Sequence, residues 1–418
     1  MHTRPAAPET PADSCALPAS PRPERARASV GRATQRPRLA AASWVCAALL
    51  LGLLPQADAQ QGPGCDFGPS LQRFEAMRQR EGLPGAALLL GNRQGLLLEH
   101  YAGNYSAQTV VAIASASKLL SAVRILQLTD RGVLDLHAPI GALLPEFSGD
   151  KAGMTLDQLF SHTSGYGNDS GAPEITDRSI SLAQAVQQIA CCRDFPAGYS
   201  VGGQFAYGGV SMHIGGRAAE VASGQDWQQG WQQALGAPLG ISSIDWQAFG
   251  ATTNYMIAGG ARSNLRDYGA VLHLLTNEGV AASGARLLSR DSVFELWRDR
   301  VADLPVIDPP PTAEPPVRYG LGSWFLPQRP ATRPPLIHSL GAFGFMPWID
   351  FEAGLFGVFM VRGLPGINTR LISDYEALFV ELRSAAEAPG CREFERFNSV
   401  FADGLEGLGV RPKTTDDP

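Results

Sequence analysis

Ser115, Ala116, Ser117 and Lys118 follow the apolar run Thr109–Ala114 and precede Leu119, Leu120, Val123 and Leu126. The apolar spacing predicts that this segment opens a helix. Residues three apart share a helix face, so Ser115 and Lys118 would point the same way. A neutral amine beside a hydroxyl can take its proton, and a helix N-terminus favours the alkoxide that forms. The chemistry implied is nucleophilic catalysis by serine. The spacing alone carries little weight, because Ser148-Gly149-Asp150-Lys151 repeats it in a polar turn. On that spacing alone, a helix cap beside a solvated charge is the better reading. His162 is the histidine that a Ser-His-Asp triad would most readily use.

The elements that must position these residues run in the order helix, strands, helical block, strands, helix. An amphipathic helix is expected over Ser70–Glu81, with Ser70 as its cap. Gly85–Gly91 and Gly95–Tyr101 read as a hairpin around Asn92-Arg93-Gln94. Helices are expected over Lys118–Arg131, Leu156–Phe160, Leu182–Ala190, Val210–Ala222 and Leu265–Asn277. Arg318–Phe325, Phe343–Asp350 and Leu355–Val361 read as strands, with Pro-rich loops at Asp308–Val317 and Pro327–Pro335. A long helix over Asn368–Ala388 closes the pattern. Strands must pair, so residues 60–110 and 301–410 are expected to build one discontinuous α/β domain with an antiparallel sheet. Residues 111–300 would form an inserted helical domain, and 411–418 a disordered tail.

Several segments resemble the serine β-lactamase and penicillin-recognising superfamily, in its branch of class C β-lactamases, D-aminopeptidases and esterases. Val111-Ala112-Ile113-Ala114-Ser115-Ala116-Ser117-Lys118 is similar to the segment bearing the nucleophile. Met154–Gly165, containing His162-Thr163-Ser164-Gly165, resembles a structural turn of that branch. Phe195-Pro196-Ala197-Gly198 and Phe205-Ala206-Tyr207-Gly208-Gly209 resemble the segment with the catalytic tyrosine. Ala258–Ser263 with Asp267-Tyr268 resembles a further loop and helix. Ser339-Leu340-Gly341-Ala342-Phe343-Gly344, then Pro347–Asp350, resembles the strand of the third motif. The five segments stand in the family's order and span about Ser70 to Arg383.

The resemblance implies an α/β domain with an antiparallel sheet, a helical domain, and a site between them. Ser115 would be the nucleophile, Lys118 its proton partner, and Tyr207 the second member of the acid/base pair. The oxyanion hole would be the backbone N–H groups of Ser115 and Ala342. No cofactor is implied. His162 is expected to be structural.

Two departures bear on substrate. The family's second motif is Tyr-x-Asn, whereas here Tyr207-Gly208-Gly209 leaves Gly209 without an amide to hold Lys118 or a substrate. Its third motif is Lys-x-Gly or His-x-Gly, whereas here the register reads Ser339-Leu340-Gly341. A shift by one residue would put His338 first, but Leu340 would then replace the glycine that lets backbone approach substrate. Neither register places a lysine to attract a carboxylate. The expectation is a carboxylic-ester hydrolase acting through an acyl-enzyme, with weak or no β-lactam hydrolysis. A β-lactamase or D-amino-acid peptidase is the alternative, and a non-catalytic binding protein on the same fold is the reading from another class.

Composition sets the frame. Apolar residues make up 44% and charged residues 18% of 418, enough for a sizeable core and too apolar for a disordered chain. The net charge of -6 argues against a nucleic-acid partner. The first 59 residues differ: seven arginines against four acids, an apolar run Leu39–Leu54, then Ala57-Asp58-Ala59. This reads as a secretory leader cleaved after Ala59, giving a periplasmic or secreted protein; an uncleaved N-terminal anchor is the alternative, and the one membrane contact expected. The partner expected is a small-molecule ester or amide. Four cysteines follow the leader, with three pairings open. Neighbouring Cys191 and Cys192 are expected not to bridge, Cys65 and Cys391 could pair if the ends meet, and free buried thiols are the competing reading. No zinc-ligand spacing occurs.

Overall fold

The computed structural model describes residues 60–61, 64–310, 313, 315–326, 335–363 and 369–392. The expected leader, spanning residues 1–59, and the expected tail over 411–418 lie outside the described residues, as does most of Pro327–Pro335.

The strands in chain order are β1 (Gln60–Gln61), β2 (Gly85–Asn92), β3 (Gly95–Gly103), β4 (Val111–Ala112), β5 (Arg262–Ser263), β6 (Trp324–Phe325), β7 (Leu336–His338), β8 (Met346–Asp350) and β9 (Leu355–Val361). Seven of them form an antiparallel sheet in the order β1-β3-β2-β9-β8-β7-β6, while β4 and β5 pair separately. The β2–β3 hairpin meets β9 along its length, from Ala86↔Val361 to Asn92↔Leu355. Segments from both ends of the chain therefore complete one sheet, as the strand order required.

Helix α1 (Gly68–Arg80) precedes the hairpin. Between β4 and β6 come α2 (Ser117–Asp130), α3 (Leu156–Phe160), α4 (Leu182–Cys192), α5 (Val210–Ser223), α6 (Trp227–Trp231), α7 (Leu265–Thr276) and α8 (Arg290–Glu295); α9 (Thr369–Glu387) follows β9. Local chemistry sets several starts. Thr155 with Gln158, and Ser181 with Gln184, form capping boxes for α3 and α4, and Asn264 caps α7.

Both faces of the central strands are apolar because both are covered. In β2, Ala86, Leu88 and Leu90 pack with Phe74 of α1 and Leu378 of α9. Ala87 and Leu89 face the opposite way, into the larger core with α7. Gly269 of α7 permits that approach, since a Cβ there would lie 2.9 Å from Leu89 Cδ1.

Three local expectations are corrected. Ser70 is not a cap: α1 begins at Gly68, with Pro69 in its first turn and Asp66 accepting the Gly68 N–H at 3.0 Å. Arg318–Phe325 is strand only at Trp324–Phe325, because the chain turns at Gly322 with φ +68°. Phe343–Asp350 becomes strand only at Met346, after a turn closed by the Gly344 N–H on Gly341 O at 2.8 Å. The strand β7 was not anticipated.

The cysteines are bonded. Cys65–Cys391 joins the start of α1 to the turn after α9 across 326 positions. Cys191 and Cys192 bridge each other, against expectation, and neither pair is free. The neighbouring bridge joins the last two residues of α4, just before Arg193 turns extended (φ -115°, ψ 112°).

Candidate active site

Ser115 lies in a single 3₁₀ turn, Ala114–Ala116, which leads into α2. The segment begins with a bend rather than as α-helix: Ala114 holds the left-handed φ of 47°. Neighbouring elements hold the bend in place. Ile113 N–H donates to Ala261 O at 3.0 Å. Ser117 Oγ donates to Ala114 O at 2.6 Å and accepts from Ala261 N at 3.0 Å. The buried Tyr268 hydroxyl of α7 donates to Ala116 O at 2.7 Å. Ser117, a plain member of the motif in sequence, is thus a structural staple.

Lys118 is 4% exposed. Its Nζ lies 3.2 Å from Ser115 Oγ and donates to Ala258 O at 3.0 Å. It also sits 4.6 Å from the centre of the Tyr207 ring. Tyr207 therefore meets Lys118 through its ring face; among the described residues its hydroxyl makes no hydrogen bond. Such a ring face attracts a cation.

The second motif continues into α5. Gly209 and Val210 N–H groups both donate to Asp169, the latter at 3.2 Å. A Cβ at Gly209 would lie 3.2 Å from Asp169 Oδ2 and 3.3 Å from Ala258 Cβ. The space expected for an asparagine amide is bounded by a carboxylate from another loop, and the backbone carbonyl of Ala258 serves as the second partner of Lys118.

His162 is buried behind Tyr207, 4.6 Å between ring centres, and takes a left-handed φ of 59°. Burial, reinforced by the nearby Lys118 charge, holds its imidazole well below the usual histidine range. The neutral ring accepts from Gly208 N–H at Nδ1 (3.4 Å), which leaves Nε2–H to donate to the Tyr319 hydroxyl at 3.2 Å. It makes no hydrogen bond to Ser115.

At the third motif, alternation along β7 separates the two candidate registers. Ser339 Oγ is 3.1 Å from Ser115 O and 3.1 Å from Gly322 O. His338 occupies the opposite face of β7, in the cross-strand row Trp324–His338–Trp348. Gly341 is required sterically: a Cβ there would lie 2.0 Å from Ile113 O. The next residue, Ala342, lines a cavity of about 410 Å³ together with Ser115.

Ser115, Tyr207 and Ala342 line that cavity at one end. Its walls are largely apolar and include Trp324, Leu336, Leu340, Trp348 and Phe379. Burial pushes the His338 imidazole in the wall down to about 4. Arg318, also in the wall, is paired with Asp299 at 2.7 Å and stacks on Phe325.

Sequence reasoning missed Tyr319 and Trp324, which box Tyr207 in; their rings lie 6.1 and 5.1 Å from its own. No local spacing signals them. Gly198-Tyr199-Ser200-Val201-Gly202 spells a nucleophile elbow, but it lies in a turn with neither strand before nor helix after, and Ser200 is exposed. Among the described residues no group of three or more His, Cys, Asp or Glu could hold a metal.

Comparison with known proteins gives the family. The family model described as Beta-lactamase matches residues 71–380. Penicillin-binding protein 4 of Amycolatopsis lactamdurans is 31% identical over 182 residues, which is 41% of this chain and 46% of that protein. Esterase EstB of Burkholderia gladioli is 27% identical over 192 residues, 40% of this chain and 48% of that one. The chain thus spans about half the length of the curated relatives it matches. A solved protein from Bacteroides dorei DSM 17855, a beta-lactamase candidate, superposes with a TM-score of 0.66 at 28% identity, covering 75% of this chain and 98% of that one. With the sheet, the helical block and the Ser115–Lys118 pair in place, and the family model spanning most of the sequence, the chain belongs to the Beta-lactamase family.

Proposed function

We propose that this protein is an exported carboxylic-ester hydrolase that works through an acyl-enzyme on Ser115. The observation that carries the reading is the 3.2 Å contact of Lys118 Nζ with Ser115 Oγ, at the mouth of an apolar cavity. Ser115 Oγ attacks the ester carbonyl as its proton passes to the Lys118–Tyr207 pair. The Ser115 and Ala342 N–H groups receive the oxyanion. The bond to the alcohol oxygen breaks, the pair returns the proton to that oxygen, and the alcohol leaves. Water then attacks the acyl carbon, gives a proton to the pair, and releases the acid as Ser115 regains its hydrogen.

An ester is favoured over a β-lactam or D-amino-acid amide because the groups that would read an amide and a carboxylate are replaced here. Gly209 bears no amide, and Ser339 stands where the family has Lys or His. The similarity to Esterase EstB supports the same substrate class. The test is a panel of p-nitrophenyl esters, penicillins, cephalosporins and D-aminoacyl amides, run on the intact protein and Ser115→Ala. Ester turnover that vanishes in S115A is expected. Efficient β-lactam turnover without ester hydrolysis would overturn the reading. Export is tested separately, by N-terminal sequencing of the protein recovered from the periplasm or medium; a start at Gln60 is expected.

A further inference from the structure

The cavity reaches from the nucleophile across the face of β7 and β8 to α9. Strand alternation explains its lining. Leu336, His338 and Leu340 lie on one side of β7, whereas Ile337 packs into the core and Ser339 reaches Ser115 on the other. Trp324 and Trp348 flank His338 on the cavity side. Ile372 and Phe379 of α9 form the far wall. The volume of about 410 Å³ falls within the roughly 300–1,000 Å³ of pockets that enclose a small ligand. An acetyl group would leave most of it unfilled.

We infer that this cavity holds the acyl chain of the substrate, and that the enzyme prefers esters of acids several carbons longer than acetate. The inference rests on the esterase reading and assigns its substrate class. The leaving oxygen must face Lys118 and Tyr207 to recover its proton. The other substituent of the carbonyl carbon is then directed past Ala342 and Leu340, where the cavity opens. The wall favours an uncharged chain. Burial holds the His338 imidazole down to about 4, which favours its uncharged form near neutral pH, and its buried Nδ1 has no hydrogen-bond partner. Arg318 is paired with Asp299.

The test measures kcat/KM for p-nitrophenyl acetate, butyrate and octanoate on the full chain, on Ile372→Trp and on Met346→Trp. A buried methylene is worth about 0.8 kcal/mol, roughly fourfold in kcat/KM. Octanoate should exceed butyrate by about tenfold or more in the intact protein. Either tryptophan, placed in the wall from α9 or from β8, should lower the octanoate-to-acetate ratio by about tenfold. A flat or acetate-favouring profile, or ratios untouched by both variants, overturns the inference and leaves the esterase reading standing. Acetates of lengthening alcohols showing the gain instead would place the alcohol in the cavity and overturn it too. Ester turnover that persists in Ser115→Ala overturns the esterase reading and the inference together.

Discussion

The two faces of strand β7 carry opposite chemistry. One reaches the Ser115 turn through the Ser339 hydroxyl, which lies 3.1 Å from both Ser115 O and Gly322 O. The other presents Leu336, His338 and Leu340 to a largely apolar cavity. A strand with a period of two keeps these tasks apart by one residue. Changes on the first face should alter how fast any ester reacts, and changes on the second which ester reacts.

The largest effect separates the faces most sharply. Ser115→Ala should lower kcat by roughly 10⁴-fold or more for every ester length, because it removes the covalent step itself. Pre-steady-state kinetics should show the loss of any burst. Lys118→Ala should cost about 10²-fold or more. Tyr207→Phe tests the hydroxyl apart from the ring: a loss of about 10²-fold assigns proton transfer to the hydroxyl, and a near-intact rate leaves only the ring face under Lys118. Gly341→Ala should also cost about 10²-fold in kcat, since its Cβ would displace Ile113 O, only 2.0 Å away, and shift the Ser115 turn. Ser339→Ala should lower kcat by about tenfold without changing the ester-length profile; an altered profile would break the comparison of the two faces.

The smallest effect concerns stability and not turnover. His162 and His213 are buried, and burial holds His213 down to about 4 and His162 well below its ordinary value. The unfolded chain binds protons on both below about pH 6.5, while the folded chain does not. The contribution of His213 is therefore complete above that pH and is lost as pH falls toward 4, and that of His162 is lost in the same direction. By pH 6 the loss from His213 should be about 1 kcal/mol, read as a lower urea midpoint than at pH 8. An unchanged midpoint would mean that the rings accept protons within the fold.

The main features of the fold were legible because they are local or periodic. Leu156–Phe160 and Leu355–Val361 were read to the residue, and the β2–β3 hairpin nearly so. The misses have physical causes. β7 is three residues long and follows a Pro-rich stretch, too short for its alternation to register. Arg318–Phe325 has strand composition, yet Gly322 turns it back. Composition also could not show that Cys191 and Cys192 would meet at a helix end. In the site, Ser115 and Lys118 were singled out by the resemblance of their whole segment to the family's, since the spacing alone fitted a helix cap beside a solvated charge. Tyr319 and Trp324 were not, because they reach Tyr207 from more than 100 positions away and only the closed fold brings them there.

The bond between Cys65 and Cys391 turns most of the chain into a covalent ring. A protease that nicks an exposed turn such as Gly167–Gly171 inside that ring would open the loop without freeing a fragment. The two parts would stay one molecule until a reductant is added, and only then run as separate bands. With both ends tied, α9 cannot leave the sheet at its C-terminal end, so the far wall of the cavity is fastened by a covalent bond as well as by packing.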